Sequence, residues 1–281
     1  MTPKDILLHL RLPFSFFLMP VYWFAISQTP NLDKPKAFWI FIILHIFIYP
    51  ASNAYNSYFD KDEGSIGGLE KPPAVDKKLF WVSWIIDASA VIISLVVLDW
   101  VFALMIFVYG LVSKAYSDNA IRLKKYPILS WFVVGLFQGA FTYFSVIMVF
   151  DKDLETLKTQ ILPAIISTMM LWAVYPMSQI YQHEEDSKRG DTTMSIILGI
   201  RGTFVFTSIV FSIAFTGFFF YFNQADFITL LIFNFSTLVF FGWWFLQVLK
   251  DKNQANFKNT MWLNLLASVC LNGFYIWLCL K

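Results

Sequence analysis

Two stretches decide the fold: YPASNAYNSYFDKDEG, from Tyr49 to Gly64, and YPMSQIYQHEEDSKRG, from Tyr175 to Gly190. Aligned without gaps at an offset of 126 residues, both obey Y-P-x-S-[NQ]-x-Y-[NQ]-x-x-x-D-x-x-x-G, eight shared positions. Each closes a long apolar run. Asn53, Asn56 and Asp60 recur at i, i+3 and i+7, which is one stripe of an α-helix, and Gln179, Gln182 and Asp186 repeat that stripe in the second copy. Amides and a carboxylate are costly against lipid, so both stripes are expected to face the protein interior or a watery cavity at one depth.

The surrounding composition requires a membrane. Of 281 residues, 58% are hydrophobic and only 14% charged, with a mean hydropathy of +0.60. A soluble domain is nearer half apolar and a quarter charged, which excludes a cytosolic enzyme, and the segments are too apolar for disorder. Spanning hydrocarbon takes about 20 apolar residues as a helix. Nine windows qualify: 12–28, 37–58, 79–98, 100–117, 127–150, 159–182, 200–222, 226–249 and 259–280. The predicted fold is an all-α membrane protein with nine transmembrane helices around a central cavity. Residues 1–281 form a single domain, because the spans leave no room for a separate soluble one. The first run lacks a small-residue cleavage site and carries Pro13 and Pro20, so it reads as a retained helix. Cys270 and Cys279 lie about 13 Å apart along one helix, too far to bridge.

Basic residues orient the spans. With the N-terminus inside, only Lys34, Lys36, Lys152, Lys158 and Lys281 of the 21 lysines and arginines fall outside, a bias that places the N-terminus in the cytoplasm. On that count Lys114, near the end of the fourth window, is grouped with the cytoplasmic basic residues Arg122, Lys124 and Lys125. Both copies of the repeat then run from outside to inside, so the repeat is parallel. The net charge of +2 gives no reason to expect a nucleic-acid partner. The expected partner surface is the lipid bilayer.

Acidic residues gather in two loops on the cytoplasmic face: Asp60, Asp62, Glu63, Glu70 and Asp76 in one, Glu184, Glu185, Asp186 and Asp191 in the other. Solvated loop charge and interhelical amide bonding account for parts of this, but not for a stripe that ends twice in Asp among further carboxylates. Clustered carboxylates need cations, and hard oxygen donors suit Mg2+, which usually shares its shell with substrate phosphates. Between the acidic loops, YSDNAIRLKKYP (Tyr116 to Pro127) supplies Arg122, Lys124 and Lys125. Such a loop is either a positive-inside anchor or, beside two acidic loops, a diphosphate cradle with Arg as a bidentate fork. Mg2+-diphosphate at the end of apolar helices suits a polar head on a hydrocarbon tail, the shape of an isoprenyl diphosphate.

These motifs resemble the UbiA-type superfamily of membrane prenyltransferases across essentially the whole chain. NSYFDKDEG resembles that family's NxxxDxxxD motif through Asn56 and Asp60, and QHEEDSKRGDTT its DxxxDxxxG-x-x-T motif through Asp186, Gly190 and Thr193. YSDNAIRLKKYP is similar to the YSxxxxRLKxxP element, placing Tyr116, Arg122 and Lys124, and Arg11 before Pro13 resembles the Arg that opens the first helix. Two positions depart: Gly64 and Gln182 stand where the motifs carry Asp, and neighbouring acids are expected to compensate.

The resemblance implies a Mg2+-dependent transferase that moves a prenyl group from its diphosphate to a lipophilic or aromatic acceptor. It implies a multi-pass protein of the bacterial inner membrane with its site facing the cytoplasm. Metal ligands would come from Asp60, Asp62, Glu63, Glu185, Asp186 and Asp191. Tyr116, Arg122 and Lys124 would be catalytic, and Arg11, Asn53, Asn56, Gln179, Gln182 and Lys188 would bind substrate. Tyr116, with Tyr55 and Tyr181 behind it, would face an allylic cation, and His183 is a further ligand or base, or simply solvated. Two rivals stay open at this level: a terpene cyclase of the same fold, and a non-catalytic transporter or binding protein. Transporter sites lie near the midplane on broken helices, whereas these acids sit at the boundary. Asp87, Gln138, Asn264 and Asn272 are read as interhelical hydrogen-bonding groups.

Overall fold

The computed structural model describes residues 1–281. Nine helices are long and apolar enough to cross a membrane: α1 Pro3–Ser27, α2 Lys34–Asp60, α3 Lys77–Val97, α4 Trp100–Ser117, α5 Pro127–Phe150, α6 Ile161–Gln179, α7 Met194–Tyr221, α8 Gln224–Lys250 and α9 Phe257–Leu280. The expected windows sit on these helices, and the differences lie at the ends. The only β pairing is an isolated bridge between Ile66 and Leu69.

α1 begins nine residues before the expected window and is broken. Thr2 and Asp5 form a capping box with Pro3 in the first turn, which starts a helix outside the apolar run. It stops at Leu10 because Arg11 adopts φ 48°, ψ 44°. Pro13 follows, and residues 12–18 wind as a tighter 3-10 helix before α-geometry resumes at Met19, as proline's missing N–H and steric bulk favour.

The two copies of the repeat differ in one respect. α2 runs unbroken through Asp60, so its stripe is continuous. α6 ends at Gln179, and Asp186 lies on a separate short helix, His183–Lys188, so the expected second stripe is split. Glu184, Glu185 and Asp186 occupy the first turn of that new helix. A helix N-terminus favours carboxylates, whereas the C-terminal end of a prolonged α6 would repel them.

Several sequence features tighten the bundle around α6. Pro176 lacks the N–H that would bond the carbonyl four residues back, and that carbonyl, of Trp172, accepts Trp131 Nε1 at 2.9 Å. In α5 a wide π turn spans Phe137–Phe141, and Ala140 N donates to Thr168 Oγ1 at 2.9 Å. Gly139 permits that approach: a Cβ there would lie 2.5 Å from the Thr168 Cα. Phe24 stacks on Tyr275 at 4.7 Å and meets Tyr143 edge-on at 5.4 Å, forming part of an aromatic core at the end away from Asp60.

Lys114, grouped by charge with the cytoplasmic basic residues, is not a free surface cation. It is buried within α4 and pairs with Asp87 of α3, so the hydrogen bond expected of Asp87 is a charged one. The ammonium also lies 4.6 Å from the Tyr55 ring centre and 4.9 Å from that of Trp84.

Candidate active site

Between the helices lies a cavity of about 560 Å3. Its charged lining is confined to six residues near one mouth: Arg11, Asp60, Asp62, Lys124, Asp186 and Arg189. They come from the α1 break, the end of α2, and the loops after α2, α4 and α6. Deeper, the wall is built of residues such as Val21, Phe24, Phe137, Leu171, Phe215 and Leu271. Both carboxyl-ended segments of the repeat therefore meet at a single chamber.

The mouth is knitted by ion pairs. Lys124 Nζ lies 2.5 Å from Asp60 Oδ1 and 3.3 Å from Asp191 Oδ2. Arg122 grips Asp191 with both prongs, Nε donating to Oδ1 at 2.9 Å and Nη2 to Oδ2 at 2.8 Å, and its Nη2 lies 3.7 Å from Asp60. Arg189 reaches three carboxylates: Asp62, Asp186 at 2.6 Å and Asp191 at 3.4 Å. Positive φ outside glycine occurs at Arg11, Lys61 and Arg122 alone. All three flank this mouth, where strained backbone commonly gathers around a working site.

Electrostatics separates the acids. Burial, with Asp191, Asp60 and Glu185 nearby, pushes Asp186 up to about 7 against the pull of Lys124. Burial would also raise Asp191, but the Arg122 hydrogen bond and the charges of Lys124, Arg122 and Arg189 hold it below the usual carboxylate range. Arg122 is raised in turn, chiefly by its hydrogen bond to Asp191. The arrangement thus keeps one carboxylate firmly ionised and another poised near neutrality.

Most expected site residues reach the cavity. Asn53, Asn56, Gln179 and Gln182 line it. Asn53 Nδ2 donates to the Leu10 carbonyl at 3.4 Å, Asn56 Nδ2 to Ser117 Oγ at 2.9 Å, and Gln182 Nε2 to the Ser65 carbonyl at 3.2 Å. Gln179 Oε1 accepts from Ser195 N at 3.3 Å. Arg11 donates to the carbonyls of Asn53 at 3.1 Å and Gly67 at 3.3 Å. Tyr116 lines the wall with its hydroxyl 2.7 Å from that of Tyr175, and Tyr181 lines it too.

Others do not reach the wall. Arg122 and Asp191 are absent from it and contact the lining residues Asp60 and Lys124 from outside. Glu63 is exposed. Glu185 packs beside Gly64, where an added Cβ would lie 3.0 Å from its Oε1, so a carboxylate fills the space next to the position where the first motif lacks its Asp. Lys188 is exposed and pairs with Glu184 at 2.8 Å, on the far face of the short helix. Tyr55 turns away, its ring against Lys114 and its hydroxyl donating to Asp118 at 2.6 Å. His183 lies off the wall with Nε2 2.8 Å from Ser195 Oγ, and burial lowers its pKa.

Arg189 is the residue that sequence reasoning missed. Helical spacing carried a usable signal: Arg189 is i+3 from Asp186, which the repeat turns inward, whereas Lys188 is i+4 from the outward Glu184. Tyr175, which opens the second copy of the repeat as Tyr49 opens the first, carries a similar signal.

Asp60, Asp62 and Asp186 offer the cavity hard oxygen donors that fit Mg2+. No group of three or more carboxylates converges into a ready-made cage, so the shell of a bound ion would be completed by ligand oxygens. Two buried donors at the same mouth, Arg11 Nε and Thr193 Oγ1, have no hydrogen-bond partner, which fits an oxygen-rich anion.

Solved structures share this fold. A UbiA homolog from Archaeoglobus fulgidus bound to DMAPP and Mg2+ superposes with a TM-score of 0.72 at 14% identity, covering 98% of this chain and 99% of that one. The same homolog bound to GPP and Mg2+ gives 0.71 at 14% identity, over 99% and 100%. Digeranylgeranylglyceryl phosphate synthase gives 0.62 at 16% identity, over 99% of each chain. No curated protein matches the sequence. The sequence profile of the UbiA prenyltransferase family matches residues 17–266, and the chain therefore belongs to that family of integral, multi-pass membrane proteins.

Proposed function

We propose that this chain is a Mg2+-dependent membrane prenyltransferase that moves an isoprenyl group from its diphosphate to a lipophilic or aromatic acceptor and releases pyrophosphate. The observation that carries this reading is the division of one cavity into a charged mouth and an apolar shaft, which matches the two ends of such a substrate. The fold-level likeness to a homolog bound to DMAPP and Mg2+ supports it. The bias of Lys and Arg toward the N-terminal side supports a mouth that opens to the cytoplasm.

Lys124, Arg11 Nε and Thr193 Oγ1 would receive the diphosphate at the mouth. Breaking the C1–O bond leaves the electron pair on the diphosphate oxygen, and these preset donors stabilise that charge. Mg2+ bound by one or two carboxylates drawn from Asp60, Asp62 and Asp186 would neutralise the same leaving group. Arg122 and Asp191 fix Lys124 and Asp60 in register from behind. The allylic cation is shielded from water by the apolar shaft, where the Tyr116 ring can contribute about 1–2 kcal/mol of cation–π stabilisation. Pyrophosphate then leaves as the acceptor bonds to C1 and gives up a proton.

The test uses the purified chain with geranyl diphosphate, Mg2+ and a candidate acceptor. Asp60→Asn and Asp186→Asn are each expected to lower pyrophosphate release at least a hundredfold. Full Mg2+-dependent release by both variants refutes the reading. Release of a cyclic terpene hydrocarbon or alcohol without any acceptor replaces transfer with cyclisation.

A further inference from the structure

Four polar side chains on α8 and α9 line the cavity below its charged mouth: Asn234, Thr237, Asn264 and Ser268, which are 3%, 8%, 5% and 4% exposed. Met261 marks the level of the mouth, since the Gly68 N–H meets its Sδ at 3.4 Å. Counting along α9, Asn264 and Ser268 lie about 5 and 10 Å deeper. They are four residues apart and share one face of the helix.

Polar groups inside a membrane protein are normally paired across helices or to their own backbone. Other cavity serines obey this: Ser208 Oγ donates to the Phe204 carbonyl and Ser212 Oγ to the Ser208 carbonyl, each at 2.8 Å. The α8–α9 wall does not. Thr237 Oγ1 is buried with no partner. Asn234 bonds only through Nδ2, to the Leu230 carbonyl at 3.0 Å, and the side chains of Asn264 and Ser268 are bonded to no protein group. Asn272, next on the Asn264–Ser268 stripe, has neither amide atom paired. Interhelical packing, the reading given to Asn264 and Asn272 from sequence, is therefore not what these residues do.

The chemistry of the wall selects its ligand. Amide and hydroxyl groups both donate and accept, and none of the charged lining residues belongs to α8 or α9. An anion is drawn to the mouth instead. An isoprenyl diphosphate carries all its polar atoms on its head, so its tail has no use for hydrogen-bonding groups at this depth. Resting on the prenyl-transfer reading above, we propose that Thr237, Asn264 and Ser268, with Asn234, form the subsite for the second substrate, and that this acceptor is a neutral, lipophilic, hydroxyl-bearing molecule.

The probes share one ring system: 1-naphthol, naphthalene and 1-naphthoate, titrated calorimetrically against the purified full chain with Mg2+ and pyrophosphate present. The expected result is 1-naphthol binding at least tenfold more tightly than naphthalene or 1-naphthoate. Asn264→Leu and Thr237→Val are expected to weaken 1-naphthol at least tenfold, leaving naphthalene binding and the stabilisation by Mg2+ and pyrophosphate unchanged. Ser268→Ala, which deletes one oxygen and preserves the helix, carries the same expectation if Asn264→Leu lowers the melting temperature. Equal affinity for 1-naphthol and naphthalene, as when the wall holds only water, overturns the proposal, and so does 1-naphthol binding untouched by these variants. Preferred binding of 1-naphthoate overturns it as well. Failure of Mg2+ and pyrophosphate to stabilise the wild-type chain counts instead against the diphosphate site, a separate result.

Discussion

Replacing Arg189 with glutamine tests the charge logic of the mouth. The substitution retains hydrogen-bonding capacity and removes a cation that faces Asp62, Asp186 and Asp191. Asp191 keeps Arg122 and Lys124 within ion-pair distance, whereas Asp62 and Asp186 have no other such partner. At an effective dielectric of about 20, unit charges separated by the 2.6 Å of the Asp186 pair attract by about 6 kcal/mol. Losing one member of a buried pair costs less than that, about 3–5 kcal/mol, because the survivor relaxes. Asp186 has a further escape, since it takes up a proton near pH 7. The expected loss for the metal-free protein is about 3 kcal/mol at pH 8 and smaller at pH 6. Unfolding by SDS titration in detergent, with and without Mg2+ and pyrophosphate, measures it. When both are added, a divalent cation serves the same carboxylates, and the gap to wild type is expected to fall to about 1 kcal/mol or less. A variant as stable as wild type without metal, or equally impaired with and without it, refutes the reasoning.

Three other outcomes follow from the same geometry. Lys114→Met and Asp87→Leu are each expected to destabilise by about 3–5 kcal/mol by stranding one buried charge, while the double variant recovers most of the loss in the same unfolding assay. In the metal-free protein, the unfolded Asp186 carboxyl releases its proton near 4 and the folded one at about 7. Between these values the folded state holds the extra proton, so stability falls as pH rises from about 4 to 7, and Asp186→Asn is expected to flatten that slope. Tyr175→Phe removes the hydroxyl pair with Tyr116. It is expected to cost about 1 kcal/mol of stability and to lower prenyl transfer more than it lowers binding of Mg2+ and pyrophosphate.

The architecture was legible because lipid imposes a strong rule on sequence: apolar runs of fixed length, and polar stripes turned inward. The repeat at Tyr49 and Tyr175 located both acidic segments, and Asp60 and Asp186 do share a chamber. What escaped depends on local geometry that composition does not encode. The left-handed turn at Arg11 and the helix break after Gln179 reset which side chains face inward. Between adjacent Lys188 and Arg189, a rotation of one residue decides which enters the mouth. Lys114 reads from sequence as one more cytoplasmic cation because its partner, Asp87, is 27 residues away, and only the packing of α3 on α4 joins them. The unpaired polar wall on α8 and α9 was visible as residues but not as a surface, since pairing is a property of three dimensions.

The Asp87–Lys114 bond also bears on how the chain enters the bilayer. Only Leu98 and Asp99 separate α3 from α4. A lone α3 would carry a naked carboxylate into hydrocarbon, and a lone α4 a naked ammonium, each with a substantial transfer penalty. Inserted together as one helical hairpin, the two segments would neutralise each other before lipid surrounds them. Pairwise insertion spares both penalties, so α3 and α4 are expected to enter the bilayer as one unit.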